Sequence, residues 1–127
     1  MNTAWIKIVA VAALFAAVIA SGFWLKGLGK PYPGLPFNLH KLIALGTAVA
    51  VVLLALRENR AVPLGGLEWA LLAAAGACFL AAVVSGGLVS IEKPMPAFVG
   101  WLHRLMPFAA LLSSAGLFFQ LASRWLR

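Results

Sequence analysis

The sequence is short of charge, and of negative charge above all. Only 10% of its residues are charged, and three acidic residues stand against ten lysines and arginines, for a net charge of +7. A chain that is 64% hydrophobic and so weakly charged falls outside the range of soluble domains. The three carboxylates, Glu58, Glu68 and Glu92, fall at the ends of the apolar segments or between them. Proton-coupled transport by a membrane-buried carboxylate is therefore not expected.

Other absences exclude further classes of site. Cys78 is the only cysteine, so no disulfide can form within the chain. The sequence has no hydrolytic triad, no phosphate-binding glycine loop and no Cys/His zinc cluster. The basic residues lie at the ends of apolar segments, which is typical of membrane-flanking charge. Nucleic acid is therefore not expected as a partner.

Long apolar segments are what the sequence has in abundance. A helix of about 20 apolar residues crosses a bilayer, and only closed backbone hydrogen bonding is stable in lipid. We therefore predict an all-α integral membrane protein, a four-helix transmembrane bundle forming one domain over residues 1–127. The first segment resembles a signal peptide, but the third has the same pattern in mid-chain, which favours a span. The four segments are Trp5–Leu25, Phe37–Leu56, Leu67–Ile91 and Ala97–Ser123.

The two halves of the sequence repeat each other. Each half reads as an apolar segment, Ser-Gly, a Lys-Pro-x-Pro turn, a histidine, a basic residue and a second apolar segment. Recurrence of the proline, histidine and basic positions with one gap predicts a tandem duplication of a two-helix unit, over about residues 5–60 and 69–123. The equivalent pairs include Trp5 with Trp69, Phe15 with Phe79, Ser21 with Ser85, Gly22 with Gly86, Lys30 with Lys93, Pro31 with Pro94, Pro33 with Pro96, His40 with His103, and Lys41 with Arg104.

The repeat brings the two histidines of the chain to one side of the membrane. A unit of two spans enters the bilayer from the same side in both copies, so His40 and His103 lie at similar depth. Each is expected about one turn into its helix. In an up-down bundle the second and fourth helices are diagonal partners, so their inner faces meet. Ser21-Gly22 and Ser85-Gly86 are expected at the same depth, where the glycines remove bulk beside the imidazoles.

Two facing imidazoles surrounded by small residues are suited to one b-type haem. Imidazole is uncharged enough to be buried and is a strong ligand for iron. We predict His40 and His103 as axial ligands, with Ser21, Gly22, Ser85 and Gly86 bordering the cofactor. Lys41 and Arg104, together with Lys30 and Lys93, supply positive charge for the carboxylate edge of the ring. Copper is disfavoured, because Met95 and Met106 are equivalent to Tyr32 and Ile43 and no symmetric site results.

With four spans, inward histidines near helix ends and small residues beside them, the sequence resembles the small four-helix membrane b-type cytochromes, loosely those of the bacterial cytochrome b561 kind. Those families usually carry four histidines for two haems at opposite faces, whereas this chain has two histidines at one face. The resemblance therefore implies a single haem and no relay of electrons across the membrane. It implies an electron-transfer protein rather than a self-contained enzyme.

The expected partners are the lipid bilayer, the quinone pool and an acidic redox protein, attracted to Lys26, Lys30 and Lys93 at the histidine face. The expected location is the bacterial inner membrane. Basic residues are equally numerous on the two faces, so the positive-inside rule does not fix the orientation. The alternative to a cytochrome is a membrane scaffold or assembly subunit without a cofactor, in which both histidines lie at the interface.

Overall fold

The computed structural model describes residues 2–127, and four helices make up most of them. Each helix is long and apolar enough to cross a membrane. The prediction of an all-helical chain with four helices of spanning length is thus confirmed. The helices are α1, Thr3–Leu28; α2, Gly34–Ala61; α3, Gly66–Val89; and α4, Ala97–Trp125.

The helix ends differ from the apolar segments by a few residues, most clearly in α2. This helix begins at Gly34, directly after Pro33, and continues to Ala61 beyond the last apolar residue of its segment. In the same way Pro96 directly precedes α4. At 3.6 residues per turn, His40 and His103 both lie about two turns from the start of their helices, deeper than the expected single turn.

Side-chain hydrogen bonds cap the starts of α1 and α3, and a glycine in a left-handed conformation marks the end of α1. The side chain of Asn2 accepts a hydrogen bond from the backbone N–H of Trp5 at 3.1 Å, which caps α1. The carboxylate of Glu68 accepts from the backbone N–H of Gly65 at 2.7 Å at the start of α3. At Gly29 the chain leaves α1 with φ of 74°, a left-handed conformation that favours glycine.

The four helices follow one another around the bundle. α1 packs closely against α2 and α3 against α4, whereas the two hairpins meet along sparser α1–α4 and α2–α3 interfaces. Residues also meet across both diagonals: Phe15 lies against Phe79 with ring centroids 5.6 Å apart, and His40 lies against His103. The buried apolar core consists of Val11, Phe15, Val51, Ala55, Leu64, Leu72, Ala110, Leu117, Phe118 and Leu121.

Much of the outer surface is apolar. Between 17% and 28% of each spanning segment is buried inside the bundle, and large side chains such as Leu35, Leu112 and Phe119 are more than 70% exposed. A soluble monomer does not present an apolar surface of this extent to water. An apolar exterior of this kind is what membrane-spanning helices present to lipid.

Charged and polar side chains tie the helices together at the end of the bundle opposite the histidines. Lys7 of α1 donates to Glu58 of α2 at 2.7 Å, and the indole N–H of Trp125 in α4 donates to the same carboxylate at 2.7 Å. Arg124 of α4 pairs with the buried Glu68 of α3 and donates to two carbonyls of the α2–α3 loop at 3.2 Å. These contacts, called the polar tie below, join all four helices.

Candidate functional site

The histidine pair lies where the inner faces of α2 and α4 meet. The ring centroids of His40 and His103 are 6.4 Å apart, and the ring planes are nearly perpendicular at 83°. Each side chain is half-buried. Because α2 and α4 run in the same direction and begin at the same end, the two rings reach the same depth from opposite corners of the bundle.

The ring of His40 is oriented by a serine of the neighbouring helix. Its Nδ1 atom lies 2.8 Å from the hydroxyl of Ser21, and that hydroxyl donates its own hydrogen to the carbonyl of Val18 at 3.0 Å. A hydroxyl has a single hydrogen to donate. The hydrogen between the two side chains therefore belongs to Nδ1 of His40, which leaves the Nε2 atom of the neutral ring unprotonated.

The ring of His103 contacts a backbone carbonyl directly, without an intervening serine. Its Nδ1 atom lies 2.9 Å from the backbone carbonyl of Ala82 in α3. A carbonyl can only accept, so Nδ1 is again the protonated nitrogen. Ala82 is equivalent to Val18 in the predicted repeat. The carbonyl at this position of the preceding helix is bonded directly to His103 in the second half and is linked to His40 through the hydroxyl of Ser21 in the first half.

In the neutral form each ring has a free lone pair on Nε2, and neither Nε2 atom has a hydrogen-bond partner among residues 2–127. An imidazole whose Nδ1–H is held by an oxygen acceptor is the form that binds a metal through Nε2. A metal about 2.0 Å from two imidazole nitrogens that face each other would separate the ring centroids by about 6 to 6.5 Å. The ring separation of 6.4 Å falls within this range, and the Nδ1 contacts leave Nε2 of each neutral ring available to a metal such as haem iron.

Glycines of α1 and α3 lie against the two imidazoles. A Cβ atom added at Gly22 would be 3.2 Å from Cε1 of His40, and one added at Gly86 would be 2.7 Å from Cε1 of His103. The second distance is shorter than side chains tolerate, so alanine at Gly86 would displace the ring. The glycines thus stand at the expected depth, and the contacts they make are with the imidazoles themselves.

The serines of the repeat differ in their contacts although their positions are equivalent. Ser21 bonds to His40, whereas the hydroxyl of Ser85 donates to the carbonyl of Ala81 at 2.6 Å, with the carbonyl of Ala82 at 3.2 Å. Both serines are buried. Ser21 therefore helps to orient a histidine, while Ser85 bonds only within its own helix.

The basic residues that follow the histidines lie on the outside of the bundle. Lys41 is positioned 3.8 Å over the ring of Phe37, and the guanidinium of Arg104 is 5.6 Å from the centroid of Trp101. Both basic side chains are exposed. They supply positive charge near the histidine end of the bundle, but neither is among the hydrogen-bonding partners of the imidazoles.

Two kinds of contact could not be identified from residue types in the sequence, one at the histidine pair and one elsewhere in the bundle. The carbonyls of Val18 and Ala82 are backbone atoms, and no residue type identifies a backbone acceptor. The contact between Phe15 and Phe79 lies on the other diagonal. The repeat contains a signal for each, because Val18 is equivalent to Ala82 and Phe15 to Phe79, and residues near the axis of a parallel repeat can meet their own equivalents.

In the described part of the chain, no group of three or more His, Cys, Asp or Glu side chains is arranged to hold a metal ion by itself. Comparisons with protein-family models, curated proteins and solved structures found no match.

Proposed function

We propose that this chain is a membrane b-type cytochrome that holds one haem between His40 and His103 and passes single electrons between the quinone pool and a partner. The observation that carries the proposal is the matched arrangement of the two imidazoles. Each has its Nδ1–H bonded to an oxygen of the preceding helix and its Nε2 free, at a ring separation of 6.4 Å.

Two broader features support this proposal. The apolar exterior favours insertion of all four helices into a bilayer. Because the proposed electron donor is the quinone pool, the proposed location is the bacterial inner membrane. The contacts between equivalent residues, Phe15 with Phe79 and His40 with His103, favour a tandem duplication with an axis along the bundle. A duplication explains how one chain obtains two matched ligands.

The residues of the chain have separate tasks in this proposal. His40 and His103 would bind the iron, which would supply one-electron oxidation and reduction. The hydroxyl of Ser21 and the carbonyl of Ala82 hold the Nδ1 protons and thereby fix the direction of each ring. Lys41 and Arg104, with Lys30 and Lys93, give the histidine end a positive potential, which stabilises carboxylates of the cofactor and attracts an acidic partner.

The direct test of the proposal is whether the purified protein contains haem. We expect one haem per chain after expression in haem-replete cells, with the split visible bands of low-spin, six-coordinate iron on reduction. The measurement is an optical spectrum of the oxidised and the reduced protein with a haem assay. A colourless, monodisperse preparation would favour a scaffold subunit instead. The contacts of both imidazoles with oxygen acceptors and glycines fit such a scaffold as well, because they already hold the rings in place.

The position of the histidines predicts a sided reaction. Both rings lie about two turns from one end of the bundle, and the sequence has no further histidine near the other end. In proteoliposomes of known orientation, quinol in the membrane should reduce the haem. An acceptor added at the histidine face should then reoxidise it at least about tenfold faster than the same acceptor at the other face. The advantage should shrink as salt is raised, because the attraction is electrostatic.

Equal rates of reoxidation from the two faces, or no reduction by any quinol, would contradict the electron shuttle. Either result would leave the haem site to be judged by the spectrum alone, so the two parts of the proposal can fail separately.

A further inference from the structure

A cavity of about 410 Å³ lies at the histidine end of the bundle, beside the start of α4. Three cationic side chains border it: Lys30 from the α1–α2 turn, Lys93 from the α3–α4 loop and Arg104 from α4. No carboxylate of the described chain is among its lining residues. The cavity therefore has a positive potential that no acidic side chain lining it offsets.

The walls of the cavity are apolar where they approach the lipid. Met95 and Trp101 line it, and Trp101 is 59% exposed on the outer surface of α4, one turn from Phe98, which is 67% exposed. A cationic pocket that opens on an apolar surface at the end of spanning helices favours a ligand with two parts, an anionic group and a hydrocarbon tail. Arginine and lysine together are the usual binding groups for phosphate oxygens.

The other half of the molecule shows why the cavity exists. At the position equivalent to Gly100 the first half has Phe37, whose ring stacks on Tyr32 with centroids 5.7 Å apart and lies beneath the ammonium group of Lys41. The first half thus has two stacked aromatic rings at the positions equivalent to Gly100 and Met95, which line the cavity in the second half. A Cβ atom at Gly100 would meet no described atom within 4 Å, so the space beside this glycine is open.

We propose that this cavity binds the phosphate headgroup of an anionic phospholipid, with Arg104, Lys93 and Lys30 around the phosphate and an acyl chain along Trp101 and Phe98. Lys30 already donates to the carbonyl of Ile91 at 3.2 Å, which holds its charge at the rim. The lipid would join the turn between α1 and α2 to the start of α4, across the interface between the two hairpins. This role does not depend on the haem.

The test is native mass spectrometry of the full chain in a neutral detergent, titrated with phosphatidylglycerol, phosphatidylcholine or inorganic phosphate. We expect one phosphatidylglycerol per chain, bound at least about tenfold more tightly than phosphatidylcholine or phosphate. Gly100→Phe should lower that affinity about tenfold by filling the cavity, and Arg104→Gln should do so by removing a charge-assisted hydrogen bond. Lys41→Gln, which removes the equivalent cation of the first half, should leave the affinity unchanged.

Several results would overturn this proposal. One is equal binding of phosphatidylglycerol and phosphatidylcholine, and another is an equal loss of affinity in Arg104→Gln and Lys41→Gln. Binding of inorganic phosphate as tightly as the lipid would show an anion site without a lipid. If Gly100→Phe does not fold, Lys93→Gln gives the same comparison without added volume. The readout is the mass of bound lipid, so it does not rely on the optical spectrum of the haem.

Discussion

Replacing either His40 or His103 with alanine is expected to abolish low-spin ligation of the haem. In the proposed site each ring would supply one nitrogen to the iron, and the neighbouring contacts offer no replacement nitrogen, because Ser21 and the carbonyl of Ala82 are oxygen groups. The split bands of the reduced protein should disappear in both variants, and haem retention should fall sharply. The measurement is the reduced-minus-oxidised spectrum with a haem assay on equal amounts of folded protein.

The repeat supplies matched controls for this experiment. Ser21→Ala removes the oxygen that holds Nδ1 of His40, and loss of such a supporting contact typically weakens metal binding about 10- to 100-fold. Ser85→Ala removes a hydroxyl that bonds only within α3, so the spectrum should not change. Cys78→Ala should also leave the spectrum unchanged. A wild-type spectrum in either histidine variant would contradict the assignment of that residue, and equal effects of the two serines would contradict the proposed role of Ser21.

Alanine at Gly86 is expected to destabilise the bundle and disturb the ring of His103, because the added Cβ would stand 2.7 Å from Cε1. Insertion of a methyl group into a packed contact typically costs about 1–3 kcal/mol. Gly22→Ala should cost less, since the corresponding distance to His40 is 3.2 Å. Thermal unfolding in detergent measures the stability, and the haem content of the same samples measures the site. Leucine at either glycine should prevent haem binding altogether.

Gly76 is the matched control, because it lies on the same helix and an added Cβ would meet no described atom within 4 Å. Gly76→Ala should stabilise the protein by about 0.5–1 kcal/mol through the lower flexibility of the unfolded chain. If Gly86→Ala unfolds at the same temperature as Gly76→Ala and keeps its haem content, the contact between Gly86 and His103 has no energetic significance. Normal haem content in both leucine variants would assign the glycines to helix packing alone.

The fold could be predicted well from the sequence because a bilayer demands long apolar helices, and such segments are visible directly. Helix ends were harder, since they depend on contacts outside the apolar part. α2 continues past its apolar segment to Ala61, with Glu58 on the added turn bonded to both Lys7 and Trp125. A prediction based on hydrophobicity ends the helix at the first charged residue. In the structure the helix continues, because Glu58 on the added turn is stabilised by its bonds to other helices.

The site was predictable only in part. The repeat required His40 and His103 to reach the same depth, and the rings do meet. It could not indicate which oxygen atoms orient them, because the acceptor for His103 is a backbone carbonyl. Equivalent residues also differ in their contacts: Ser85 makes no bond to a histidine, and Gly100 lines a cavity where the first half has Phe37. Sequence symmetry predicts where residues lie better than what they contact.

The polar tie has a consequence for the order in which the protein is assembled. The contact between Glu58 and Trp125 joins residues 67 positions apart, and the contact between Lys7 and Glu58 joins residues 51 apart. During synthesis, α1 and α2 can associate as soon as both have left the ribosome, and their own ion pair is then complete. The indole of Trp125 can arrive only after α3 and α4 have been made and inserted. The bundle is therefore expected to form as two hairpins in succession, with closure at the polar tie as the last step of biogenesis.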